Sequence, residues 1–232
     1  MLTYKLHFIR HGQTQGNLEG RYIGRTDLPV SEAGFEELAR LRDRYDYPEV
    51  EAVFASPLHR CQQTATFLYP DSPMTVVEDL RELDFGAFEG KTVAELKEDP
   101  AFQNWLKNSQ TAPPAGGESG AEFAHRLTNG LKQVFAQMMR RDLRSAAVVT
   151  HGGVIMTLLA LYGLPEEQMG RWVTENATGY TVLMTPQMWM RDEKFEITGL
   201  VPEGLFAQEE HDPLDDVDWE NLTQEQEEWL WN

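Results

Sequence analysis

The chain holds a single cysteine, Cys61, among 232 residues. One thiol excludes an internal disulfide and suits a reducing compartment, so a cytoplasmic protein is expected. The N-terminus, Met1-Leu2-Thr3-Tyr4-Lys5, lacks a basic region followed by a long apolar stretch, so no secretory signal is expected. Long hydrophobic runs are missing too. Val154 to Leu164 is too short to span a bilayer and contains Thr157 and Gly163, which argues against a membrane partner. A basic surplus is absent: the net charge is −18, which argues against nucleic-acid binding through bulk electrostatics. The last thirty residues, 203–232, have no Lys or Arg and hold eleven acids. The rest has 27 acids against 20 bases, an ordinary balance. No internal repeat is visible.

What is present supports a real core. Hydrophobic residues make up 41% of the chain, with six Trp, seven Tyr and eleven Phe. Strand-like runs rich in β-branched residues span 3–9, 51–55, 74–77, 145–150, 180–184 and 195–201, the last two read as late, edge-lying strands. Residues 12–30 are Gly-rich and polar and read as a loop. Ser31 is the expected N-cap of a helix to Arg44, with Leu38 and Leu41 facing inward. Ser56-Pro57 reads as an N-cap followed by proline at the first helical position, opening a helix to Tyr69. Thr92-x-x-Glu95 and Ser119-x-x-Glu122 have the form of capping boxes, the second opening a helix to Arg140. A buried helix is expected over 154–162. The alternation predicts an α/β fold: a mostly parallel central sheet with helices on both faces. Residues 1–206 read as the catalytic domain. Residues 207–232 read as an acidic tail in which Thr223-x-x-Gln226 caps a short helix carrying Trp229 and Trp231. The tail either docks these rings on the body, stays mobile, or engages a partner. A homo-oligomer stays open.

Two short segments carry the chemistry. Arg10-His11-Gly12 and His151-Gly152 each directly follow an apolar strand-like run, about 140 residues apart. In open α/β sheets, sites form at the carboxyl ends of strands, so the two histidines can meet across one crevice. The arginine beside the first suggests an anionic substrate. A phosphate monoester needs a cationic fork, a nucleophile and an acid for the leaving group. Arg10 and Arg60 supply guanidinium forks. His11 supplies imidazole, which is neutral near pH 7 and nucleophilic. Asn17 adds a side-chain N–H, His151 another donor, and Gly152 lets its backbone N–H approach closely. Glu82 is the acid candidate. The scheme requires no metal and no cofactor; its partner is a small phosphorylated substrate.

These residues stand in a pattern that resembles the histidine phosphatase superfamily, the phosphoglycerate-mutase-like proteins. Arg10-His11-Gly12-Gln13-Thr14 with Asn17 resembles its signature. Gly24-x-x-Asp27-x-Pro29-x-Ser31-Glu32-x-Gly34 looks like its first loop and helix start. Ser56-Pro57-Leu58-His59-Arg60-x-x-Gln63-Thr64-Ala65 resembles its phosphate-gripping helix. Glu82-x-x-x-Gly86-x-x-Glu89-Gly90 is similar to its acid-bearing segment, and Thr150-His151-Gly152-Gly153-Val154 to its second-histidine turn. The stretch Pro113-Pro114-Ala115-Gly116-Gly117-Glu118-Ser119 also fits. The resemblance implies a phosphoglycerate-mutase-like fold and a phosphohistidine intermediate on His11. It also implies a phosphate pocket of Arg10, Asn17, Arg60 and His151, with Glu82 as proton donor; Gly24 and Gly152 are expected to bind the phosphate as well. Three positions depart from the pattern. Cys61 replaces a common alanine, Phe88 a frequent Trp, and Met156 a common arginine after the His-Gly-Gly turn. None is catalytic; Met156 points to an altered substrate side.

Other readings compete. His7 and His11 would share a zinc ion only on a helix; in a strand their separation is about 13 Å of rise. His59 and His125 read as solvent-facing, Cys61 as a small buried side chain. Arg21 and Arg25 read as loop charges or as a second anion site. A cofactor-dependent phosphoglycerate mutase is the alternative enzyme. The interval from Glu82 to His151 is short, and its 91–110 part has Lys91, Lys97 and Lys107 among acids without an Arg cluster, which favours hydrolysis of a sugar phosphate or an α-ribazole-phosphate type of metabolite. A binding or regulatory protein without turnover is the alternative of another class. In a further expectation, the acidic tail covers the site mouth and repels anions.

Overall fold

The computed structural model describes residues 2–205. The tail readings, including the Trp229 helix, lie outside the described residues. Seven strands form one sheet in the order β3-β2-β4-β1-β6-β7-β5. They are β1 (Tyr4–Arg10), β2 (Ala52–Ala55), β3 (Met74–Val76), β4 (Ser145–Thr150), β5 (Gly163–Leu164), β6 (Gly179–Met184) and β7 (Phe195–Val201). The first four in this order are mutually parallel, while β6 runs antiparallel to β1 and to β7. The sheet is therefore mostly parallel on the side that carries the site. β7 is covered at the edge by only the two-residue β5.

Among the described residues eight helices surround it: α1 (Gln15–Leu18), α2 (Glu32–Arg44), α3 (His59–Leu68), α4 (Val93–Leu96), α5 (Pro100–Asn108), α6 (Gly120–Arg141), α7 (Gly152–Tyr162) and α8 (Pro186–Asp192). The period-two alternation of the strands sends side chains to two faces. Leu6, Phe8, Phe54 and Val148 pack with Leu127, Leu131, Phe135 and Leu158 of α6 and α7. Ile9, Val53, Ala55 and Val149 pack with Leu38, Leu41, Cys61 and Ala65 of α2 and α3. A third cluster, Tyr22, Phe85, Phe88, Val93, Leu96, Phe102 and Trp105, lies beyond the sheet over the segment that carries the acid.

The structure departs from the sequence expectation in several elements. The strand 180–184, expected at a sheet edge, is β6, interior between β1 and β7, and β5, α5 and α8 were not expected. The stretch 12–30 contains the short α1, because Thr14 and Asn17 cap it reciprocally. Asn stands where the motif calls for Glu or Gln, so the signal was hidden. Helix α3 starts at His59, with Leu58 as its N-cap, rather than at Pro57. The Ser56 hydroxyl lies 2.8 Å from His151 Nε2 instead of capping a helix at Pro57. Helix α7 starts two residues early, at Gly152. Both capping boxes, Thr92/Glu95 and Ser119/Glu122, form as expected.

Candidate active site

β1 and β4 are neighbouring parallel strands with Arg10 opposite Thr150 in register. The residues that follow them therefore emerge side by side. The His11 N–H donates to the Thr150 carbonyl at 2.9 Å. The two imidazole rings stand with centroids 5.2 Å apart at 66°. The 140-residue separation is closed by a single strand pairing. α3 brings Arg60 from the opposite face, and the segment after β3 brings Glu82. His11, Arg10, Arg60, His151 and Glu82 are all buried, none more than 9% exposed.

His11 Nδ1 lies 2.8 Å from the Gly12 carbonyl oxygen. A carbonyl can only accept, so Nδ1 carries the proton and Nε2 keeps its lone pair. Burial, then the charges of Arg60 and Arg10, hold the ring's proton affinity well below that of an ordinary histidine. His11 is thus a neutral imidazole of fixed tautomer. The Gly12 N–H donates to Thr64 Oγ1, and Asn176 Nδ2 donates to the His11 carbonyl, so the turn is held on both sides.

Burial, with Arg60, His11 and Arg10 adding to it, also lowers the affinity of His151 for a second proton. Its Nδ1 accepts from Arg60 Nε at 3.3 Å, and its Nε2 pairs with Ser56 Oγ at 2.8 Å. Cys61 Sγ packs 3.5 Å from His151 Nε2, and burial pushes this thiol up to about 12, which makes it inert. Arg60 donates through Nη1 to the Thr26 carbonyl and through Nη2 to the Gly24 carbonyl. Three of its five N–H groups are engaged in this way. Arg10 Nη1 donates to the Thr174 carbonyl at 2.7 Å.

Glu82 receives the Leu83 N–H on Oε1 at 2.8 Å and the Gly153 N–H on Oε2 at 3.0 Å. Those bonds and both arginines favour the carboxylate, yet burial outweighs them and raises the group above the usual carboxylate range. A raised carboxyl is suited to give up a proton near neutrality. A Cβ at Gly153 would stand 2.6 Å from Glu82 Oε1, so glycine there makes room for the acid. Helix α7 begins at Gly152 with its first N–H groups and positive dipole end facing this space.

Asn17 lines the same cavity; its Oδ1 accepts from the Thr14 N–H and hydroxyl, which fixes the side-chain amide. Gly24 is placed differently from the other sequence candidates. Its N–H donates to Glu89 and its carbonyl accepts from Arg60, and it does not line the cavity shared by Arg10, His11, Asn17 and Glu82. A Cβ there would lie 1.8 Å from the Leu83 carbonyl, so only glycine fits. Arg25 pairs with Asp84 at the surface, and His59 with Asp27. His7 lies three strand residues before Arg10, between the hydroxyls of Thr181 and Ser145. Among the described residues no group of three or more His, Cys, Asp or Glu could hold a metal ion. No helix among them is long and apolar enough to cross a membrane.

Sequence reasoning did not find the residues that hold the site. Ser56 and Thr64 stand in the motif around Arg60, but nothing in it announces their bonds to His151 and Gly12, and Thr174 on Arg10 has no sequence signal. Glu89 accepts the backbone N–H groups of Gly24, Arg25, Thr26 and Phe85 and the Thr26 hydroxyl. Its place in the acid-bearing segment was the only hint.

Comparison with known proteins is consistent along most of the chain. The family model of the histidine phosphatase superfamily (branch 1) matches residues 6–193. The adenosylcobalamin/alpha-ribazole phosphatase of Escherichia coli K12 is 30% identical over 171 residues, covering 71% of this chain and 82% of that protein. A broad-specificity phosphatase of Saccharomyces cerevisiae is 27% identical over 168 residues, covering 67% and 68%. The crystal structure of the alpha-ribazole phosphatase of Shigella flexneri superposes with a TM-score of 0.71 at 26% identity, covering 84% and 95%.

Proposed function

From the premise that this chain belongs to the histidine phosphatase superfamily (branch 1), we propose that residues 1–206 hydrolyse a small phosphomonoester through a phosphohistidine on His11. The observation that carries this reading is the His11 ring: neutral through burial, with Nδ1–H held by Gly12 so that Nε2 is the free nucleophile.

In the proposed first step, His11 Nε2 attacks phosphorus in line with the departing oxygen. The N–P bond forms as the P–O bond breaks. The charge on the equatorial oxygens is met by Arg10, the Asn17 amide, the Gly152 N–H that opens α7, and the two remaining N–H groups of Arg60. His151 trades its bond with Ser56 for a phosphoryl oxygen. Glu82 passes its proton to the departing oxygen. In the second step the Glu82 carboxylate takes a proton from water, whose oxygen attacks phosphorus and restores neutral His11. Atoms and charge balance over the cycle, and no metal enters it. Gly24 serves by holding Arg60 through its carbonyl. The lone buried thiol of Cys61 supports a cytoplasmic location.

The test is phosphate release from a panel of phosphomonoesters with EDTA present. Wild type releases phosphate at an unchanged rate with the chelator, and His11→Ala loses at least ~10³-fold in kcat. Loss of activity in EDTA, or a His11→Ala variant as active as wild type, contradicts the proposal.

A further inference from the structure

The nucleophile and the acid open into one cavity of about 260 Å³. Resting on the phosphatase reading above, we propose that the preferred substrate is the phosphomonoester of an uncharged alcohol carrying an apolar ring, seated between Leu83, Phe85, Trp105, Phe123, Met156 and Val173.

Charge is the first argument. The ionisable side chains lining the cavity are Arg10, His11, Glu82 and Arg21. The first three serve the phosphoryl group. Arg21 is committed elsewhere: its Nε donates to Glu19 at 2.6 Å and its Nη1 to the Gly90 carbonyl at 2.6 Å, with Glu95 3.4 Å away. A carboxylate or second phosphate on the leaving group would lie among Leu83, Phe85 and Met156 and would have to compete with Glu19 and Glu95 for Arg21. Met156, in the second turn of α7, is 3% exposed and presents a thioether to this space.

Shape is the second. Trp105 is not a free flap. It stacks on Phe102 at 29° and 5.8 Å and stands edge-on to Phe85 at 84° and 5.9 Å. Phe85 in turn meets Tyr22. Such a pre-formed aromatic wall favours a flat, rigid ligand, which loses little internal freedom on binding and can take edge-to-face contacts. An apolar cavity of ~150 Å³ accommodates a benzene ring, so this one holds the phosphoryl group together with a single or fused ring.

Polar matching is the third. Trp105 Nε1 and Thr174 Oγ1 are buried in side chains that line the cavity, and neither has a hydrogen-bond partner among the described residues. Buried polar groups of this kind are normally satisfied. Both atoms are fully buried, so a substrate in the cavity reaches neither; the uncharged polar side chains it meets are Asn17, Ser109, Gln110 and Thr157, fewer than the apolar ones, which leaves several hydroxyls of a polyol against Leu83, Phe85, Phe123 and Met156.

The experiment compares kcat/KM of the full chain for esters of aliphatic alcohols, so that leaving-group acidity stays similar. Benzyl phosphate and 2-(2-naphthyl)ethyl phosphate are set against n-butyl phosphate, glucose 6-phosphate and 3-phosphoglycerate, with p-nitrophenyl phosphate as a general reporter. The ring esters are expected to exceed glucose 6-phosphate and 3-phosphoglycerate by at least 10²-fold, mainly through KM, and n-butyl phosphate by a smaller factor. 2-Phenylethanol should inhibit competitively where glycerol does not. Trp105→Ala should lower the benzyl-to-glucose preference at least ten-fold. Equal or better turnover of glucose 6-phosphate or 3-phosphoglycerate overturns the ring proposal and leaves the phosphatase reading standing. Release from no ester, p-nitrophenyl phosphate included, overturns both. The inhibition by 2-phenylethanol needs no variant, so poor folding of Trp105→Ala does not shelter the proposal.

Discussion

Replacing Glu89 by Gln tests whether a carboxylate outside the reacting set positions Arg60. Glu89 Oε1 accepts the N–H groups of Gly24, Arg25 and Phe85, and Oε2 accepts the Thr26 N–H and the Thr26 hydroxyl at 2.6 Å. The loop so gathered offers the Gly24 and Thr26 carbonyls to the two Nη atoms of Arg60, each at 2.8 Å. Gln has one acceptor oxygen, and its amide must face donors with a donor. The cheaper orientation places that amide toward Thr26, whose hydroxyl can rotate to accept, so one or two backbone bonds are lost. At about 1 kcal/mol for each net bond, and up to ~3 for those made to a charged group, the loop loses roughly 1–3 kcal/mol. If all of this reaches Arg60 in the transition state, kcat/KM falls ~5- to 160-fold. The assay is steady-state phosphate release beside thermal melting, where each kcal/mol lowers Tm by about 2–4 °C for a chain of this size. A lowered Tm with unchanged kcat/KM would refute the positioning role while keeping the structural one. No change in either would refute both.

Three further outcomes follow from the geometry. Glu82→Gln removes the proton donor, so kcat should fall ~10²–10⁴-fold for alkyl phosphates and less for p-nitrophenyl phosphate, whose leaving group needs no proton. In wild type the same group sets the alkaline limb: activity declines as pH rises through its raised pKa, and that limb should vanish from the variant's pH profile. Burial, then Lys5, lowers His7 to about 4. Its folded-state pKa lies below the unfolded value of about 6.5, so its contribution is full above pH 6.5 and lost as pH falls through about 4. That shift corresponds to about 3 kcal/mol. Melting of wild type and His7→Gln from pH 7 to 4 should show a steeper fall for wild type, and parallel curves would contradict this. Ser56→Ala leaves His151 Nε2 without its 2.8 Å partner, at an expected cost of about 1–2 kcal/mol in stability and several-fold in kcat; unchanged kcat would show that Ser56 does not orient the ring.

The sheet was legible because β1, β2 and β4 each hold a short run of apolar, buried residues, Phe8-Ile9, Ala52–Ala55 and Ala146–Val149, directly before a polar residue, Arg10, Ser56 and Thr150. This alternation of buried strands and amphipathic helices has few solutions. The meeting of His11 with His151 was legible because parallel neighbours place their carboxyl ends together. The capping boxes were legible because each is a local bond between residues three apart. What escaped is non-local. Ser56-Pro57 has the local form of a helix start, but a tertiary bond to His151 claims the hydroxyl. The α1 turn was hidden by Asn17 standing in for Glu. Helices α5 and α8 begin with Pro100 and Pro186, each preceded by a capping residue, Asp99 and Thr185. These starts are visible in the sequence once the flanking residues are known to be helical, though the short lengths of the helices weaken their periodicity. The pairing of Arg21 with the Gly90 carbonyl joins chain segments 69 residues apart and has no sequence signature.

The central claim is a covalent bond between phosphorus and His11 Nε2. The most direct measurement is a rapid quench in alkali with a ³²P-labelled phosphomonoester, followed by peptide mass spectrometry. The account predicts one acid-labile, alkali-stable phosphate per chain on the peptide carrying His11, formed and lost at the turnover rate and absent from His11→Ala. Turnover with no label on the protein, or label on a peptide without His11, would contradict it.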